Sequence, residues 1–274
     1  MSSTPRFYVT TPIYYVNDEP HIGHVYTTVV ADTVARYRRA TGHDVRFLTG
    51  TDEHGQKIER AAAKLGVAPI ALADRVVLRY RELWKRLSIS HDDFIRTTEP
   101  RHRLGVDRLI ARMTAAGDIY LGAYDGMYCA GCEAFYPASQ IVDGKCPDQG
   151  HPVEAVREAS YFFRLSKYQE PLLAWLDANP GAVRPASRWN EVRAFVASGL
   201  KDLSISRTTI AWGIPWPNDP AHVVYVWVDA LTNYLTAAGF PDDQARLERY
   251  WPADVHLMGK EIVRQHTVYW PAFL

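Results

Sequence analysis

The first sixty residues swap strand-like and helical hydrophobic periods at short spacing, and that alternation constrains the fold more than anything else in the chain. Phe7 to Thr11 is a β-prone run closed by Pro12, and Ile13 to Pro20 carries the Asn, Asp and prolines of a loop. From Gly23 to Arg39 the period becomes helical. Tyr26, Val30, Val34 and Tyr37 fall on one face, and Arg36, Arg38 and Arg39 load the last turn, where cations suit the helix dipole. Thr41-Gly42 ends that helix, Val45 to Thr49 reads as a second buried strand, and the run Gly50 to Gly55 turns into another helix. Strand, helix, strand, helix in so few residues predicts a doubly wound parallel sheet, a Rossmann-like α/β fold.

Helical stretches continue over Ala68 to Leu87 and Arg101 to Ala116. After Gly117-Asp118 the texture changes: Ile119 to Glu154 is rich in Tyr, Gly and Cys and predicts an inserted β-ribbon. Helical spacing returns over Tyr161 to Leu176 and Ser187 to Lys201. Val223 to Val228 then reads as an apolar strand followed by a helix from Asp229, with another strand at Val255 to Met258 and a last helix from Lys260. No internal repeat and no low-complexity linker separates these parts, so an insertion within one sheet is the simplest organisation. The expected division is residues 1–117 for the first half of the sheet domain, 118–205 for the insertion and 206–274 for the second half.

Composition removes several classes of function. The 274 residues carry 31 Lys+Arg against 31 Asp+Glu, so bulk charge does not drive nucleic-acid binding, and the arginines of the predicted helices read as solvated faces. No apolar run reaches membrane-spanning length, and Met1 to Arg6 is polar with no secretory pattern. Three cysteines, two of them in C-x-x-C, fit metal ligation in a reduced compartment better than disulfides. A cytoplasmic protein is the expectation. G-x-G-x-x-G and G-x-x-x-x-G-K-[S/T] are both absent, which excludes the dinucleotide fingerprint and the Walker loop.

The sharpest chemical feature is His21-Ile22-Gly23-His24, at a helix start just beyond the first strand. Histidines three apart point the same way, and a helix N-terminus with unpaired N–H groups is a natural phosphate site. Imidazoles aimed at a phosphate can stabilise charge that develops on attack. Asp52, beyond the second strand, reads either as a helix N-cap or as a carboxylate that anchors a substrate ammonium. Trp227, Leu231 and Tyr234 share a helical face, as do Ile262, His266 and Trp270, and Ile13 and Tyr15 come from the first loop. All these positions open from strand ends, where a doubly wound sheet binds ligands. An aromatic-rich apolar slot with one carboxylate suits an amino acid with an unbranched apolar side chain, a thioether above all. Cys129, Cys132 and Cys146 supply three ligands of a zinc knuckle. Gln149 stands at the expected fourth position, leaving His151 as the nearest substitute, Asp148 as a poorer one and a metal-free ribbon as the alternative.

Taken in order, the motifs resemble those of a known family. His21-Ile22-Gly23-His24 matches the first signature of the class I aminoacyl-tRNA synthetases. Thr10 to Asn17, Gly50 to Gly55, Tyr225 to Ala230, and Gly259-Lys260-Glu261-Ile262 running on to His266 and Trp270-Pro271 look like the methionyl-tRNA synthetase family in particular. Ile205-Ser206-Arg207, with Trp212 to Pro215, resembles the return from that family's connective peptide to its catalytic fold. The resemblance implies ATP-dependent formation of methionyl-adenylate, with Mg2+ accompanying the ATP, and transfer of the methionyl group to tRNA-Met. It implies that His21 and His24 hold phosphates, that Gly23, Gly259 and Glu261 line the adenosine side, and that Lys260 neighbours a phosphate. Ile13, Tyr15, Trp227, Ala230, Leu231, Tyr234, Ile262 and His266 would form the methionine pocket, Asp52 would take the amine, and Arg207 would be an activity-critical charge. The insertion would carry structural Zn2+ and help place the tRNA acceptor end.

The family's Lys-Met-Ser-Lys-Ser loop and helical anticodon-binding domain are not in this sequence, so the chain is expected to be an N-terminal portion, weak alone because the loop lysines neutralise pyrophosphate. Two other readings compete. An H-x-G-H nucleotidyltransferase accounts for the first motif but not for Trp227 to Tyr234, and a non-catalytic zinc-ribbon module on a nucleotide fold accounts for the missing loop.

Overall fold

The computed structural model describes residues 4–132, 134–136 and 138–274. Residues 1–3 of the polar N-terminus, and positions 133 and 137 of the predicted ribbon, lie outside the described residues.

The first half alternates as its periods require. Strand β1 (Arg6–Thr10) is followed by the two-residue β2 (Tyr14–Tyr15), helix α1 (Ile22–Ala40), β3 (Asp44–Asp52), α2 (Gln56–Lys64), α3 (Pro69–Arg86), β4 (Asp93–Arg96) and α4 (Pro100–Ala115). Pro at the first turn of α3 and of α4 presets φ where no N–H partner is lost. Every pairing in this sheet is parallel. β3 is central: Leu48 pairs with Thr10 on one edge and Asp93 on the other, and Thr51 likewise with Tyr14 and Arg96, so β2 prolongs the β1 edge beyond Pro12.

The apolar face of α1 is only partly inward, with Val34 packed on the strands and both tyrosines turned out. Tyr26 is 71% exposed and Tyr37 63%, while Thr28, Ala31, Asp32 and Ala35 are buried. The strands beneath supply the bulk through Phe7, Val9 and Phe47, so the helix must present small side chains to lie close on them.

The insertion is a long antiparallel ribbon. β5 (Ile119–Cys129) pairs with β6 (Ala134–Tyr136) and, residue for residue from Ile119–Phe163 to Tyr128–Glu154, with β7 (Glu154–Phe163). Residues 161–163 are therefore strand, contrary to the helical reading, because cross-strand partners on β5 claim them. Helices α5 (Gln169–Ala178) and α6 (Ala186–Ala197) follow, and β8 (Leu203–Ser204) closes the ribbon's outer edge.

The chain then returns through a small antiparallel sheet of β9 (Ser206–Arg207), β10 (Pro215–Trp216) and β11 (Asp219–Val224). The apolar run expected at 223–228 as a strand of the parallel sheet is thus split. Its start ends β11, and helix α7 (Val226–Ala237) begins three residues before the expected Asp229. Helix α7 is buried along its whole length, Asp229, Thr232, Asn233 and Thr236 included, so its apolar start at Val226, Trp227 and Val228 reads locally like the continuation of a buried strand. After α8 (Gln244–Tyr250), β12 (Val255–His256) adds to the free edge of β1. The last helix departs from its expected form: a 3₁₀ turn at Lys260–Ile262, a π turn at Gln265–Tyr269, then α9 (Trp270–Phe273).

The parallel sheet runs β12–β1–β3–β4. From β1 the chain winds one way to β3 and β4 and comes back on the other side as β12, so the winding reverses beside β1. Ligands bind at the carboxyl ends of strands at such a reversal. The largest core cluster joins Tyr8, Leu48 and Ile95 to Val228, Leu231 and Tyr234, which seats α7 on the sheet at that point. Among the described residues no helix is long and apolar enough to cross a membrane.

Candidate active site

A cavity of about 560 Å³ opens at the carboxyl ends of β1, β2, β3 and β12. Ile13, Tyr15, Asp52, Trp227, Ala230, Leu231, Tyr234, Ile262 and His266 all line it, as do His21, Gly23, His24, Gly259 and Glu261. These come from five separate segments, and the sheet's reversal point brings them together. Two expected residues lie elsewhere. Lys260 faces a neighbouring chamber of about 680 Å³ between the end of β12, α6 and the cysteine ribbon. Arg207 lines a narrow crevice with His54, Tyr128 and Trp212, its guanidinium 4.5 Å from the Tyr225 ring centroid and its Nη1 donating to Ser204 Oγ at 2.9 Å.

The two signature histidines cap α1 for each other. Gly23 N–H donates to His21 Nδ1 (3.1 Å), and His21 N–H donates to His24 Nδ1 (3.2 Å), a reciprocal capping box made by imidazoles. Tyr80 Oη lies 3.1 Å from the same His24 nitrogen, and the two imidazole rings stack with centroids 3.7 Å apart. Because Nδ1 of each ring accepts a backbone hydrogen, Nε2 is left to donate. Burial, with His21 beside it, pushes the His24 pKa down to about 4. At neutral pH His24 is therefore an uncharged hydrogen-bond donor at a helix N-terminus whose first turn carries no acidic residue.

Asp52 is the last residue of β3 and 3% exposed. It is not a helix cap: Gly55 occupies the N-cap position of α2. Its neighbour Glu53 is fully buried and fastened by Arg96 (2.7 and 2.9 Å), Thr51 and Thr98 (2.6 Å each), so the strand end that carries Asp52 is held from behind.

On the far wall His266 Nδ1 donates to the Ile262 carbonyl at 2.8 Å, which leaves Nε2 to accept from Tyr234 Oη at 2.7 Å. Tyr8 Oη in turn donates to the Tyr234 carbonyl at 2.9 Å. Burial lowers the His266 pKa to about 4, against the pull of Ile262. This wall is aromatic, hydrogen-bonded and uncharged at neutral pH.

Sequence reasoning passed over a buried group behind the cavity. Asp229, in the first turn of α7 and 1% exposed, accepts from His54 Nδ1 and from His102 Nε2, each at 2.7 Å. Burial raises its pKa, but the two imidazoles outweigh that and hold it at about 2. His54 and Asp229 lie within motif runs singled out in the sequence, but His54 and His102 stand 175 and 127 residues from Asp229, and no local spacing marks the pairing. The bond of Glu53 to Arg96, 43 residues on, is unmarked in the sequence for the same reason.

In the ribbon, Cys129, Cys132, Cys146 and His151 bring their ligand atoms within 4.8 Å of one another. Cys132 Sγ lies 3.6 Å from Cys146 Sγ and 3.5 Å from His151 Nδ1, spacings that a tetrahedral zinc with bonds of about 2.3 and 2.0 Å requires. Gly131 completes the cradle: a Cβ there would stand 2.2 Å from His151 Nδ1. Asp148 instead accepts from Tyr136 Oη at 2.9 Å, and Gln149 faces the neighbouring chamber. The residues fit a Cys₃His metal site.

With this geometry in hand, known proteins give a consistent comparison. The family described as tRNA synthetases class I (M) matches residues 7–155 and 149–274. Methionine–tRNA ligase of Halalkalibacterium halodurans is 54% identical over 281 residues, covering 98% of this chain and 43% of the relative, and that of Bacillus subtilis is 52% identical with 98% and 42% covered. Among solved structures, Mycobacterium tuberculosis methionyl-tRNA synthetase in complex with methionyl-adenylate superposes with a TM-score of 0.97 at 52% identity, covering 99% of this chain and 54% of that one. The chain thus spans about half the length of the relatives it matches.

Proposed function

The chain belongs to the methionyl-tRNA synthetases of class I, and on that premise we propose that it activates methionine with ATP and passes the methionyl group to tRNA-Met. The observation that carries the reading is one cavity lined at once by the imidazole-capped helix N-terminus, the buried carboxylate of Asp52 and the aromatic wall of Trp227, Tyr234 and His266.

In this reading Asp52 pairs with the substrate ammonium, which fixes the amino acid by its invariant end. Ile13, Tyr15, Trp227, Ala230, Leu231, Tyr234, Ile262 and His266 enclose the thioether. Sulfur against aromatic rings contributes roughly 0.3–1.5 kcal/mol per contact. One missing methyl is worth only about 1–3 kcal/mol in such a slot, so homocysteine is excluded weakly by binding alone. A neutral His266 suits an uncharged side chain, since an imidazolium there would demand a counter-charge.

Activation joins a methionine carboxylate oxygen to the α-phosphorus of ATP and expels pyrophosphate. His21 and His24, donating through Nε2 beside the α1 N-terminus, stabilise the charge that gathers on the phosphate oxygens without forming a bond. Gly23, Gly259 and Glu261 flank the adenosine, Lys260 approaches from the adjoining chamber, and ATP enters as its Mg2+ complex. In the second step a ribose hydroxyl at the tRNA acceptor end attacks the carbonyl and AMP leaves. Arg207, outside the cavity, acts by holding β9 and Tyr225 at the start of α7. The division into residues 1–117, 118–205 and 206–274 assigns chemistry to the outer two segments and acceptor-end placement to the ribbon. A zinc held by Cys129, Cys132, Cys146 and His151 supplies cross-linking of that ribbon and no step of the reaction. The setting is the cytoplasm, where protein synthesis consumes the product.

Methionine-dependent exchange of pyrophosphate into ATP tests the reading. Exchange supported by methionine and not by leucine or cysteine is expected. No methionine-dependent exchange together with no methionine binding by calorimetry would overturn the reading.

A further inference from the structure

The buried cluster of His54, Asp229 and His102 has no place in the chemistry above, yet it ties together the elements that frame the cavity. His54 lies two residues beyond Asp52, and Asp229 lies between Trp227 and Ala230 on α7 while pointing away from the cavity. His102 stands on α4, which packs along α7. That helix pair is unusually close: a Cβ on Gly105 would stand 2.3 Å from Thr236 Oγ1 and 3.6 Å from Thr232 Cγ2. The carboxylate thus receives one charge-assisted bond from the strand end that carries Asp52 and another from the helix on which α7 rests. Such bonds are short and directional, so they fix the rotation of α7 about its own axis as well as its distance from β3. A leucine-like contact would hold the distance alone. The segment's other tethers act on the same loop: Trp212 Nε1 donates to the Glu53 carbonyl, and Gly55 N–H donates to the Trp212 carbonyl.

We propose that Asp229, braced by His54 and His102, is a positioning residue that sets the spacing between Asp52 and the Trp227–Ala230 wall, and so the fit of the amino-acid substrate. The proposal rests on the cavity being the methionine site. Loss of one bracing bond should therefore appear as about a tenfold change in methionine affinity, equivalent to about 1.4 kcal/mol.

The test replaces the bracing donors one at a time in the intact protein and reads methionine affinity by calorimetry, with the methionine and ATP KM values and the melting temperature alongside. His54→Leu removes the Nδ1 donor. His54→Asn keeps a donor near that position. His102→Leu and His102→Gln do the same for Nε2. The leucine variants should bind L-methionine about tenfold more weakly, with the methionine KM raised and the ATP KM unchanged, and the Asn and Gln variants should recover most of the loss. A merely structural role predicts equal effects on both substrates that follow the melting temperature, and no selective recovery; that pattern overturns the proposal. Unchanged methionine affinity in folded His54→Leu and His102→Leu also overturns it. If those variants do not fold, the Asn and Gln variants carry the decision, because loss of methionine affinity despite the retained donor refutes the brace. Asp52→Asn separates the two levels. Lost binding there with intact binding in the leucine variants sinks the brace alone, whereas no methionine binding by the unsubstituted protein sinks the brace and the site together.

Discussion

Lowering the pH from 7 to 5 should cost this protein about 4 kcal/mol of folding stability through two histidines alone. His256 sits at the end of β12 against the Tyr234 ring, 4.4 Å between centroids, with Thr10 Oγ1 2.8 Å from its Nδ1. Burial, with His266 nearby, pushes its pKa down to about 3, and burial holds His266 at about 4. Unfolded, both return to the ordinary value near 6.5. A depressed imidazole pKa means that the unfolded chain binds protons the folded one refuses. Stability is therefore complete above about pH 6.5 and falls as the pH drops toward 4. At pH 5 the unfolded rings are almost all protonated and the folded rings almost all neutral, which is about 2 kcal/mol for each. That is a large share of the roughly 5–15 kcal/mol typical of a domain. His24 acts in the same direction, with a smaller share because it is partly exposed and screened. Asp229, held at about 2, loses its paired stabilisation only below pH 4, outside this window. Urea titrations at pH 7, 6 and 5, followed by tryptophan fluorescence, measure the slope. His256→Asn keeps a polar partner for Thr10 but does not titrate, and should recover about half of the loss. A change of less than about 1 kcal/mol between pH 7 and 5, or an undiminished loss in His256→Asn, would refute the reasoning.

Three further outcomes follow from the same geometry. Trp227→Ala should raise the methionine KM roughly 10–100-fold with little effect on the ATP KM, since it removes one aromatic wall of the apolar slot; equal changes in both would count against the pocket. Asp52→Asn should abolish methionine activation while ATP binding by calorimetry persists, and normal pyrophosphate exchange would remove its role as amine anchor. Gly131→Ala places a methyl 2.2 Å from His151 Nδ1 and should lower zinc to well under one equivalent by elemental analysis; full zinc content in that variant would mean His151 is not the fourth ligand.

Much of this protein is legible in one dimension because its cues are local. The swap between strand and helix periods names a parallel α/β sheet, and the breaks at Pro12, Gly42 and Gly117 mark where elements end. The cavity positions beyond β1, β3 and β12 are readable because strand ends converge by construction in a doubly wound sheet, whereas Trp227, Ala230, Leu231 and Tyr234 reach the cavity on α7, which follows a strand of the small antiparallel sheet. The C-x-x-C pair and the later cysteine mark three ligands of a candidate metal cradle through spacing and leave the fourth open.

Tertiary structure decided the rest. The inward face of α1 depended on aromatic bulk already supplied by the strands, so Tyr26 and Tyr37 point outward although the periodicity favours them. The run at 223–228 divided between an antiparallel strand and a wholly buried helix, two environments that an apolar sequence cannot tell apart. Whether His151 could reach the cysteines depended on the missing side chain of Gly131, and whether Arg207 faced the cavity depended on the turn of β9. The Asp229 cluster is the limiting case: its members come from three distant segments, and only packing brings them within 2.7 Å. Periodicity reports which side of its own element a residue occupies. It carries no record of what another element, more than a hundred residues away, sets opposite.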